Sequence, residues 1–234
     1  MHHMTLRTPT FTAMTDDLLA TTAVAPIISG MIVGLGTGRA ASRAIVALSR
    51  RVREERLEIT CVATSHASEA LATELGVRVV AMDGVDRVDY LFDGADEVDG
   101  ALRMIKGRGG AMTREKIVAH AATRRTYLVQ ATKVVERLGQ SAPLPVELLR
   151  FGLATTLRTL RERGLEAIER ASFGTADGNP VVDATLPPGI DVDVLAAALD
   201  ALPGVVGHGL FLSEADVVLV EAATGELTRR TRAL

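Results

Sequence analysis

The sequence predicts an α/β fold with a smaller α+β module inserted late in the chain. Short apolar runs that suit buried strands alternate with segments that suit helices. The runs lie at residues 31–33, 58–63, 77–81, 90–92 and 127–129. Pro143 and Pro145 then mark a boundary, because proline favours extended chain and interrupts helices. We therefore expect one domain made of residues 1–139 and 213–234, and a second domain at residues 140–212.

The composition is that of a soluble globular protein. The chain has 234 residues, of which 47% are hydrophobic and 24% charged, so a sizeable core is possible. Its net charge of −3 predicts neither nucleic acid nor an anionic membrane as a partner. Basic residues cluster at residues 50–56 and 229–232 without interleaved aromatic residues. We interpret both clusters as solvated helix faces.

The single cysteine and the lack of export signals predict a cytoplasmic protein. Cys61 lies in an apolar run and has no partner, which excludes a disulfide framework and favours a reducing compartment. We interpret Cys61 as an inert core residue. No stretch reaches the roughly 18 apolar residues that a membrane span needs, and no signal peptide is recognisable.

Helices are expected between the strands of the first half. They are predicted at residues 16–29, 39–51, 68–76 and 113–122, and a short helical turn is predicted after Thr132-Lys133, up to Gly139. The second half is expected to mix strands and helices differently. From Pro145 we predict a strand, a helix at 150–163, strands at 166–169 and 181–183, a helix at 191–202, and strands at 204–211 and 217–220. Asp177-Gly178 predicts a tight type I′ turn.

A glycine-rich turn follows the first predicted strand. Residues 34–38 read GLGTG and lead directly into a helix, an order that forms phosphate cradles in many α/β folds. The spacing is not that of a dinucleotide site, and the second strand is not followed by an acid that would bind a ribose hydroxyl. No P-loop pattern is present. The turn therefore favours a smaller phosphate ester as ligand.

A second group of polar residues lies within residues 89–119. Four acids follow the strand at 90–92, namely Asp93, Asp96, Glu97 and Asp99. Lys106 and a glycine-rich loop at 107–110 then introduce a helix that Thr113 is expected to cap and that carries Glu115 in its first turn. An acidic loop is usually a solvated turn, and a glutamate there usually serves the helix dipole. Together, however, the acids, the lysine and the anion cradle favour a site in which Glu115 is a proton-transfer base.

Two further features leave alternatives open. Ser65 and Ser68 either cap a helix or form a second loop of the same site. His66, His120 and His208 are isolated and favour no metal site, and no motif for a redox cofactor is found. The acidic loop lacks the spacing of a calcium loop, but a looser magnesium site for phosphoryl chemistry remains a competing interpretation.

Several sequence blocks, in order along the chain, resemble the type A ribose-5-phosphate isomerases. They are GLGTG at 34–38, TSHAS at 64–68, DGADE at 93–97, KGRGGA at 106–111, REKI at 114–117, PLPVE at 143–147, GN at 178–179, PGVV at 203–206 and GLF at 209–211. The resemblance implies an aldose–ketose isomerase of the pentose phosphate pathway that needs no metal or cofactor. It also implies a three-layer Rossmann-like domain, a smaller ferredoxin-like α+β domain, and a homo-oligomer, either a dimer or a tetramer.

The resemblance also implies a role for each matching residue. Glu115 matches the general base that moves a proton between C1 and C2 of the sugar through an enediolate. Asp93 and Asp96 match residues that bind the sugar and assist ring opening, and Lys106 matches the cation that stabilises the oxyanion. The implied substrate-binding positions are Gly36, Thr37, Gly38, Arg39, Ala40, Ser65, Ser68, Gly94, Ala95, Gly107, Arg108, Gly109 and Lys133.

The chain departs from the family pattern at three places. Arg39-Ala40 stands where Ser-Thr is usual, an acidic pair at residues 16–17 replaces a phosphate-binding lysine, and Ala176-Asp177 stands where Asp-Asn is usual. We hypothesise that Arg39 takes over phosphate binding. Two other functions remain open, namely an isomerase for a different sugar phosphate and a non-catalytic sugar-phosphate sensor. A DNA-binding regulator is disfavoured, because the segment before Gly30 is too short for a helix-turn-helix.

Overall fold

The computed structural model of the protein describes residues 17–171 and 174–232. The strands are β1 (Ile32–Leu35), β2 (Thr60–Ala63), β3 (Tyr90–Gly94), β4 (Glu97–Val98), β5 (Met104–Ile105), β6 (Arg125–Gln130), β7 (Leu144–Leu148), β8 (Glu166–Glu169), β9 (Val181–Thr185), β10 (Val205–His208), β11 (Leu210–Phe211), β12 (Val217–Glu221) and β13 (Leu227–Thr231). The helices are α1 (Leu18–Val24), α2 (Arg39–Glu55), α3 (His66–Glu74), α4 (Met112–Ala121), α5 (Leu153–Glu162) and α6 (Val192–Asp200). Short 3-10 helices cover Met82–Gly84 and Ala131–Lys133.

A six-stranded sheet forms the larger part of the fold. Its order is β13-β12-β6-β3-β1-β2, and every neighbouring pair is parallel except β12 with β13. The strand order reverses beside β1, because β2 lies on one side of it and β3 on the other. In doubly wound sheets such a reversal opens a crevice at the carboxyl ends of the two strands. The predicted α/β class is thus confirmed, and the most favourable place for a ligand is between the ends of β1 and β3.

Apolar side chains cover both faces of this sheet. Along β3, Tyr90 and Phe92 join a core cluster with residues of α1 and α2, whereas Leu91 joins a second cluster with residues of α4. The alternation follows from the two-residue period of a strand. The sheet is therefore the middle of three layers, which is the predicted Rossmann-like arrangement.

The second sheet contains four antiparallel strands in the order β10-β7-β9-β8. Helices α5 and α6 complete a β-α-β-β-α-β unit, and their apolar residues share a core with one face of this sheet. The predicted ferredoxin-like arrangement is thus present. We propose the domain limits that the sequence suggested, because the six-stranded sheet uses residues 32–130 and 217–231 and the four-stranded sheet uses residues 144–208. A small third sheet, β11-β5-β4, joins the two parts.

Several predicted elements differ in the structure. The strand expected at residues 77–81 is reduced to one bridge between Val79 and Cys61, because the chain turns into the 3-10 helix directly afterwards. The basic cluster at residues 229–232 lies in and just beyond strand β13 and not on a helix. There β12 provides an edge on which the chain pairs in register. The helical turn expected between Lys133 and Gly139 is not formed. A 3-10 helix lies just before it, at Ala131–Lys133, and the two valines that follow bond to β4 instead.

The turn at Asp177-Gly178 is also different from the prediction. Within the described residues only Arg56 and Leu102 have positive φ among non-glycines, so Asp177 does not adopt the type I′ conformation. The Gly178 amide donates to the Thr175 carbonyl, the Thr175 amide donates to the Asn179 carbonyl, and Gly178 is left-handed with φ 82°. A three-residue turn with a left-handed glycine therefore replaces the tight reversal.

Two sequence-based interpretations can be compared directly with burial. Cys61 has no exposed surface, and burial raises the pKa of its thiol to about 12, in keeping with an inert core residue. Among residues 17–171 and 174–232, no helix has the length and apolar character needed to cross a membrane.

Glu97 shows how one acid of the predicted site serves the fold instead. Its carboxylate has no exposed surface and accepts hydrogen bonds from the amides of Gly139, Ser141 and Ala142 and from the Ser141 hydroxyl. The buried charge is stabilised because backbone donors surround it. Glu97 thereby anchors the segment that leads from the large sheet into β7.

Glu97→Ala should lower the free energy of unfolding by about 3 kcal/mol, because several amides lose a charged acceptor in a buried place. For a chain of this size the midpoint of thermal unfolding should fall by roughly 6–12 °C. Differential scanning calorimetry measures the change. Glu54→Ala, at an exposed position of α2, is the matched control and should shift the midpoint by less than about 1 °C. Equal shifts in the two variants would contradict the assigned role of Glu97.

Candidate active site

A cleft of about 620 Å³ opens at the carboxyl ends of β1 and β3. Most of the predicted site positions line it, namely Thr37, Gly38, Arg39, Ala40, Gly94, Ala95, Asp96, Lys106, Gly107, Arg108, Gly109, Glu115 and Lys133. Four predicted positions do not line it, namely Gly36, Ser65, Ser68 and Asp93. The cleft wall also contains residues that the sequence did not single out, namely Leu19, Arg43, Leu128, Val129 and Gln130.

Three buried charges meet at one end of this cleft. Lys106 and Glu115 are 2% and 4% exposed, and Asp93 is fully buried. The Lys106 Nζ atom lies 2.8 Å from Asp93 Oδ2 and 3.4 Å from Glu115 Oε2, and it also donates to the Gly94 carbonyl. Among the described residues neither Glu115 Oε2 nor Asp93 Oδ2 accepts a hydrogen bond, but the other oxygen of Asp93 accepts from two backbone amides. One cation therefore faces two carboxylates, and the carboxylate of Glu115 is the less satisfied of the two.

Asp93 holds the other parts of the site together. It is the last residue but one of β3, and its Oδ1 atom accepts from the amides of Thr37 at 2.9 Å and Gly94 at 2.7 Å. A Cβ atom on Gly36 would lie 2.2 Å from this oxygen, so only glycine permits the approach of the first loop. Asp93 thus ties the loop after β1 to Lys106. Asp93 is fully buried and does not line the cleft, and its observed partners are protein groups.

Burial shifts the protonation of the cluster. It raises the pKa of Glu115 to about 8, and the charge of Asp93 adds to this effect while Lys106 opposes it. The pKa of Asp93 is also raised by burial, with Lys106 and the two amides opposing. Burial alone would lower the pKa of Lys106, but the charges of Asp93 and Glu115 outweigh it and raise that pKa. Since Asp93 has closer partners than Glu115, the proton that the cluster takes up near neutral pH belongs on Glu115.

The four acids of the predicted loop have separate tasks. Asp96 is half-buried, lines the cleft, and accepts from the Arg108 amide at 2.9 Å. Asp99 lies away from the cleft and holds a turn by accepting from the Ala101 and Arg103 amides and from the Arg103 guanidinium. With Glu97 bound to its own loop, only Asp93 and Asp96 belong to the site. The solvated-turn interpretation fails for this loop.

The hydroxyl-rich loop after β2 contacts the glycine loop of the site but does not line the cleft. Ser65 caps α3 by accepting from the Ser68 amide at 3.2 Å. Ser68 donates its hydroxyl to the Gly36 carbonyl at 2.6 Å and is 4% exposed. Of the two interpretations left open by the sequence, the helix cap therefore describes Ser65. Ser68 braces the glycine loop and does not reach the cleft.

Glu115 is placed by the start of α4. The cap residue is Ala111, and its side chain makes no capping bond, so the expected cap by Thr113 is wrong. Thr113 lies inside the first turn and donates its hydroxyl to the buried carboxylate of Glu147. The chain therefore turns into α4 through the glycine-rich loop at residues 107–110, without a capping side chain. Glu115 does lie in the first turn, as predicted.

A family model described as ribose 5-phosphate isomerase A (phosphoriboisomerase A) matches residues 60–225. The chain is 43% identical over 209 residues to ribose-5-phosphate isomerase A of a Roseiflexus species, covering 87% of this chain and 90% of that protein. It is 40% identical over 217 residues to ribose-5-phosphate isomerase A of Thermomicrobium roseum, covering 90% and 91%. The chain belongs to the ribose 5-phosphate isomerase A family.

Solved structures agree with this assignment. Ribose 5-phosphate isomerase A of Methanocaldococcus jannaschii superposes with a TM-score of 0.86 at 36% identity, covering 91% of this chain and 96% of that one. A D-ribose-5-phosphate isomerase in complex with phospho-erythronic acid superposes with a TM-score of 0.87 at 33% identity, covering 92% and 97%. Fold and family are therefore established over nearly all of the chain.

One departure from the isomerase family pattern, Arg39-Ala40, lies in the cleft wall where α2 begins. Arg39 is the first residue of α2, is exposed, and has no hydrogen-bond or ion-pair partner within residues 17–171 and 174–232. Arg43, one turn later, donates to both Asp17 and Glu221 at 2.6–2.8 Å. Asp17, in the acidic pair that replaces the family's lysine, therefore orients a cation in the cleft wall. Asp16 lies outside the described residues. The four-residue spacing of Arg39 and Arg43 is the signal that could have identified Arg43.

The described part of the chain contains no group of three or more His, Cys, Asp or Glu side chains arranged to hold a metal ion. His66 and His120 are exposed beside single carboxylates. His208 is buried, with its Nε2 atom 3.0 Å from Asp200. Among the described residues, the magnesium interpretation of the acidic loop thus has no donor set to support it.

The raised pKa of Glu115 predicts how stability depends on pH. The folded protein holds this proton more tightly than the unfolded chain, so its stability should fall as the pH rises from about 4.5 to about 8. Glu115→Gln does not titrate and should unfold at a temperature a few degrees higher than the unaltered protein at pH 8.5. The difference should shrink as the pH falls toward 5. A stabilisation that is absent at pH 8.5, or equal at both pH values, would contradict the buried-charge account.

Proposed function

We propose that the chain interconverts ribose 5-phosphate and ribulose 5-phosphate by proton transfer. The observation that carries this proposal is the under-satisfied carboxylate of Glu115, which faces a cleft 3.4 Å from the buried ammonium of Lys106. Moving a proton next to a carbonyl requires a base together with a charge that stabilises the oxyanion. Both are present within one buried cluster, at the sheet position where ligands bind in this fold class. Family membership supports the same chemistry.

The isomerisation can be followed atom by atom. Glu115 removes the proton from C2 of the open-chain aldose, and the electrons of that C–H bond form the C1=C2 double bond of an enediolate. The carbonyl electrons move to O1, whose negative charge the Lys106 ammonium stabilises. Glu115 then returns the proton to C1 while the hydroxyl proton of O2 passes to O1, which yields the ketose. The base is regenerated, and the reaction consumes no oxidant or reductant.

The two aspartates have different tasks in this proposal. Asp96 lines the cleft and is the carboxylate available to the sugar hydroxyls and to ring opening. Asp93 keeps Lys106 charged and in place, because it lies 2.8 Å from the Nζ atom and has no exposed surface. A charged lysine stabilises the oxyanion more strongly than a neutral donor would. The resemblance implied that Asp93 binds the sugar and assists ring opening. We propose instead that Asp93 positions the Lys106 ammonium.

The phosphate is proposed to bind where α2 begins. The amides of the glycine loop and the positive end of the helix favour an anion there. Arg39 and Lys133 both line the cleft. An arginine is otherwise disfavoured at a helix N-terminus, so a bound phosphate gives Arg39 a reason to be there.

Three finer points belong to the same proposal. They are a place in the pentose phosphate pathway, a cytoplasmic location, and a homo-oligomer, either a dimer or a tetramer. Their support is membership of the isomerase family. Sedimentation velocity separates the assembly states, and a monomer at micromolar concentration would contradict the third point.

The direct test is conversion of ribose 5-phosphate with EDTA present. In D₂O, proton transfer through an enediolate should place solvent deuterium at C1 of part of the ribulose 5-phosphate, because the base exchanges its proton with solvent. Product without any deuterium would indicate a hydride shift and contradict the role of Glu115. Activity that requires an added divalent metal after chelation would contradict the metal-free mechanism.

Glu115→Gln should lower kcat by roughly two to four powers of ten, which is the usual contribution of a positioned general base. In the unaltered protein, kcat/KM should fall as the pH drops below about 8, because the raised pKa leaves Glu115 protonated there. Steady-state kinetics from pH 5 to 9 test both expectations. Glu69→Gln, at an exposed position of α3, is the control and should leave kcat unchanged. Near-normal turnover in Glu115→Gln would show that another group moves the proton.

Arg39→Ala should raise KM for ribose 5-phosphate by roughly ten- to a hundredfold, about the value of one charge-assisted contact. Weak activity on unphosphorylated ribose should not change, because that sugar lacks the group that Arg39 binds. Arg53→Ala removes the same charge from an exposed position of the same helix and is the matched control. If both substrates are affected equally, or neither is, Arg39 is not the phosphate ligand. The altered loop would then indicate an isomerase for a different sugar phosphate.

A further inference from the structure

The segment between β8 and β9 contacts the active site from the smaller sheet. Arg170 lies at the start of this segment, directly after β8. Its guanidinium donates to both carboxylate oxygens of Asp183 at 2.6 Å. Its Nη1 atom donates to the carbonyls of Gly107 at 3.1 Å and Arg108 at 3.0 Å. A side chain that directly follows a strand of the smaller sheet is thus hydrogen-bonded to the loop that follows Lys106.

The chemistry of this contact suits a rigid support. The planar fork of an arginine is fixed when a carboxylate accepts two of its hydrogen bonds, so its remaining donors have a set direction. The Arg170 side chain is 10% exposed, which limits competition from water. The same loop is also held by Asp96, which accepts from the Arg108 amide. Arg170 and Asp96 therefore both fix the loop, one through its carbonyls and the other through an amide.

The same segment also reaches the helix that carries Glu115. Glu147 is 1% exposed and accepts from Thr175 and Asn179 on one oxygen and from Thr113 on the other. Arg114 donates to both carboxylate oxygens of Asp177. Thr113 and Arg114 directly precede Glu115 in α4. The turn at residues 175–179 therefore supports the base, just as Arg170 supports the cation.

The contact at Asp177 gives a structural reason for one departure from the family pattern. The sequence has Asp177 at a position where the family usually has asparagine. A carboxylate accepts two hydrogen bonds from one guanidinium, whereas an amide can offer only one acceptor oxygen. The substitution therefore strengthens the connection to α4 in this chain. Because both side chains are partly exposed, we assign the larger part of the support to Arg170 and Glu147.

We propose that Arg170 is a positioning residue for the isomerisation, which holds Lys106 in register with Glu115 from the smaller sheet. The inference rests on the proposed function, because it concerns the alignment of the base with the oxyanion-stabilising cation. Their separation of 3.4 Å leaves room for little displacement. Misplacing a reacting group by about 1 Å typically costs a factor of the order of 10² in rate. Removal of Arg170 should therefore lower kcat more than it raises KM.

The test compares Arg170→Met with Arg150→Ala. Arg150 pairs with Glu169 near the same end of the smaller sheet and is 70% exposed. It forms no hydrogen bond or ion pair with residues 107–110, so it is the matched control. Arg170→Met should lower kcat by roughly tenfold or more with KM within about threefold. In the plot of kcat/KM against pH, the fall on the acid side reports the pKa of Glu115. Its midpoint should move to lower pH in Arg170→Met, because a loosened loop admits water, which stabilises the ionised carboxylate and lowers that pKa. Asp183→Asn, which leaves Arg170 in place but frees its fork, should change the same quantities to a smaller extent.

Hydrogen exchange provides a readout that does not depend on activity. Amides of residues 107–110 should exchange faster in Arg170→Met and at the normal rate in Arg150→Ala. The inference would be overturned if Arg170→Met unfolds at a lower temperature but has unchanged kcat, an unchanged pH dependence of kcat/KM and unchanged exchange rates. Arg170 would then be a structural contact. If Arg170→Met does not fold, the same criteria apply to Asp183→Asn. If the unaltered chain does not isomerise ribose 5-phosphate, the proposed function fails. The inference about Arg170 has its own test, because an unchanged amide exchange rate at residues 107–110 in Arg170→Met would overturn it.

Discussion

The rest of the site depends on one buried ammonium that serves two carboxylates. Three charges without full access to water are costly unless each is paired or hydrogen-bonded. Asp93 satisfies this requirement through two backbone amides and Lys106, and Lys106 through Asp93 and a backbone carbonyl. Glu115 is left with the weakest pairing, and its pKa is raised accordingly. The least stabilised charge of the cluster is thus on the group that exchanges a proton, and a raised pKa there suits a general base near neutral pH.

The fold separates this dry end of the cleft from an exposed end. At the buried end, strand termini and buried loops hold the three charges. At the exposed end, α2 offers amides and Arg39, and Arg43 is held by Asp17 and Glu221. Such a division suits a substrate with a reacting carbonyl at one end and a phosphate at the other. The departures from the family pattern in the phosphate loop lie only at the exposed end, so they alter binding without touching the proton-transfer groups.

Much of the candidate site could be predicted from short sequence patterns. The features that could not be predicted depend on contacts between residues that are distant in the sequence. The glycine loop, the acidic turn and the first-turn position of Glu115 are short-range patterns, and each was recognisable. The burial of Asp93 was not, because it follows from the approach of Gly36, which lies 57 residues earlier in the chain. Ser65 and Ser68 were ambiguous because a helix cap and a binding loop use the same residue types. Arg170 carried no local signal, since its partners in the glycine loop are distant in sequence.

The most direct measurement is the protonation of Glu115 itself, by infrared difference spectroscopy of the unaltered protein across a pH series. Subtracting the same series for Glu115→Gln isolates one carboxyl group, whose protonated and ionised forms absorb at different frequencies. The account predicts that this group loses its proton near pH 8. Lys106→Met removes the compensating charge and should move that titration higher still. Ionisation near pH 4.5 in the unaltered protein would contradict the account, because Glu115 would then be an ordinary solvated carboxylate.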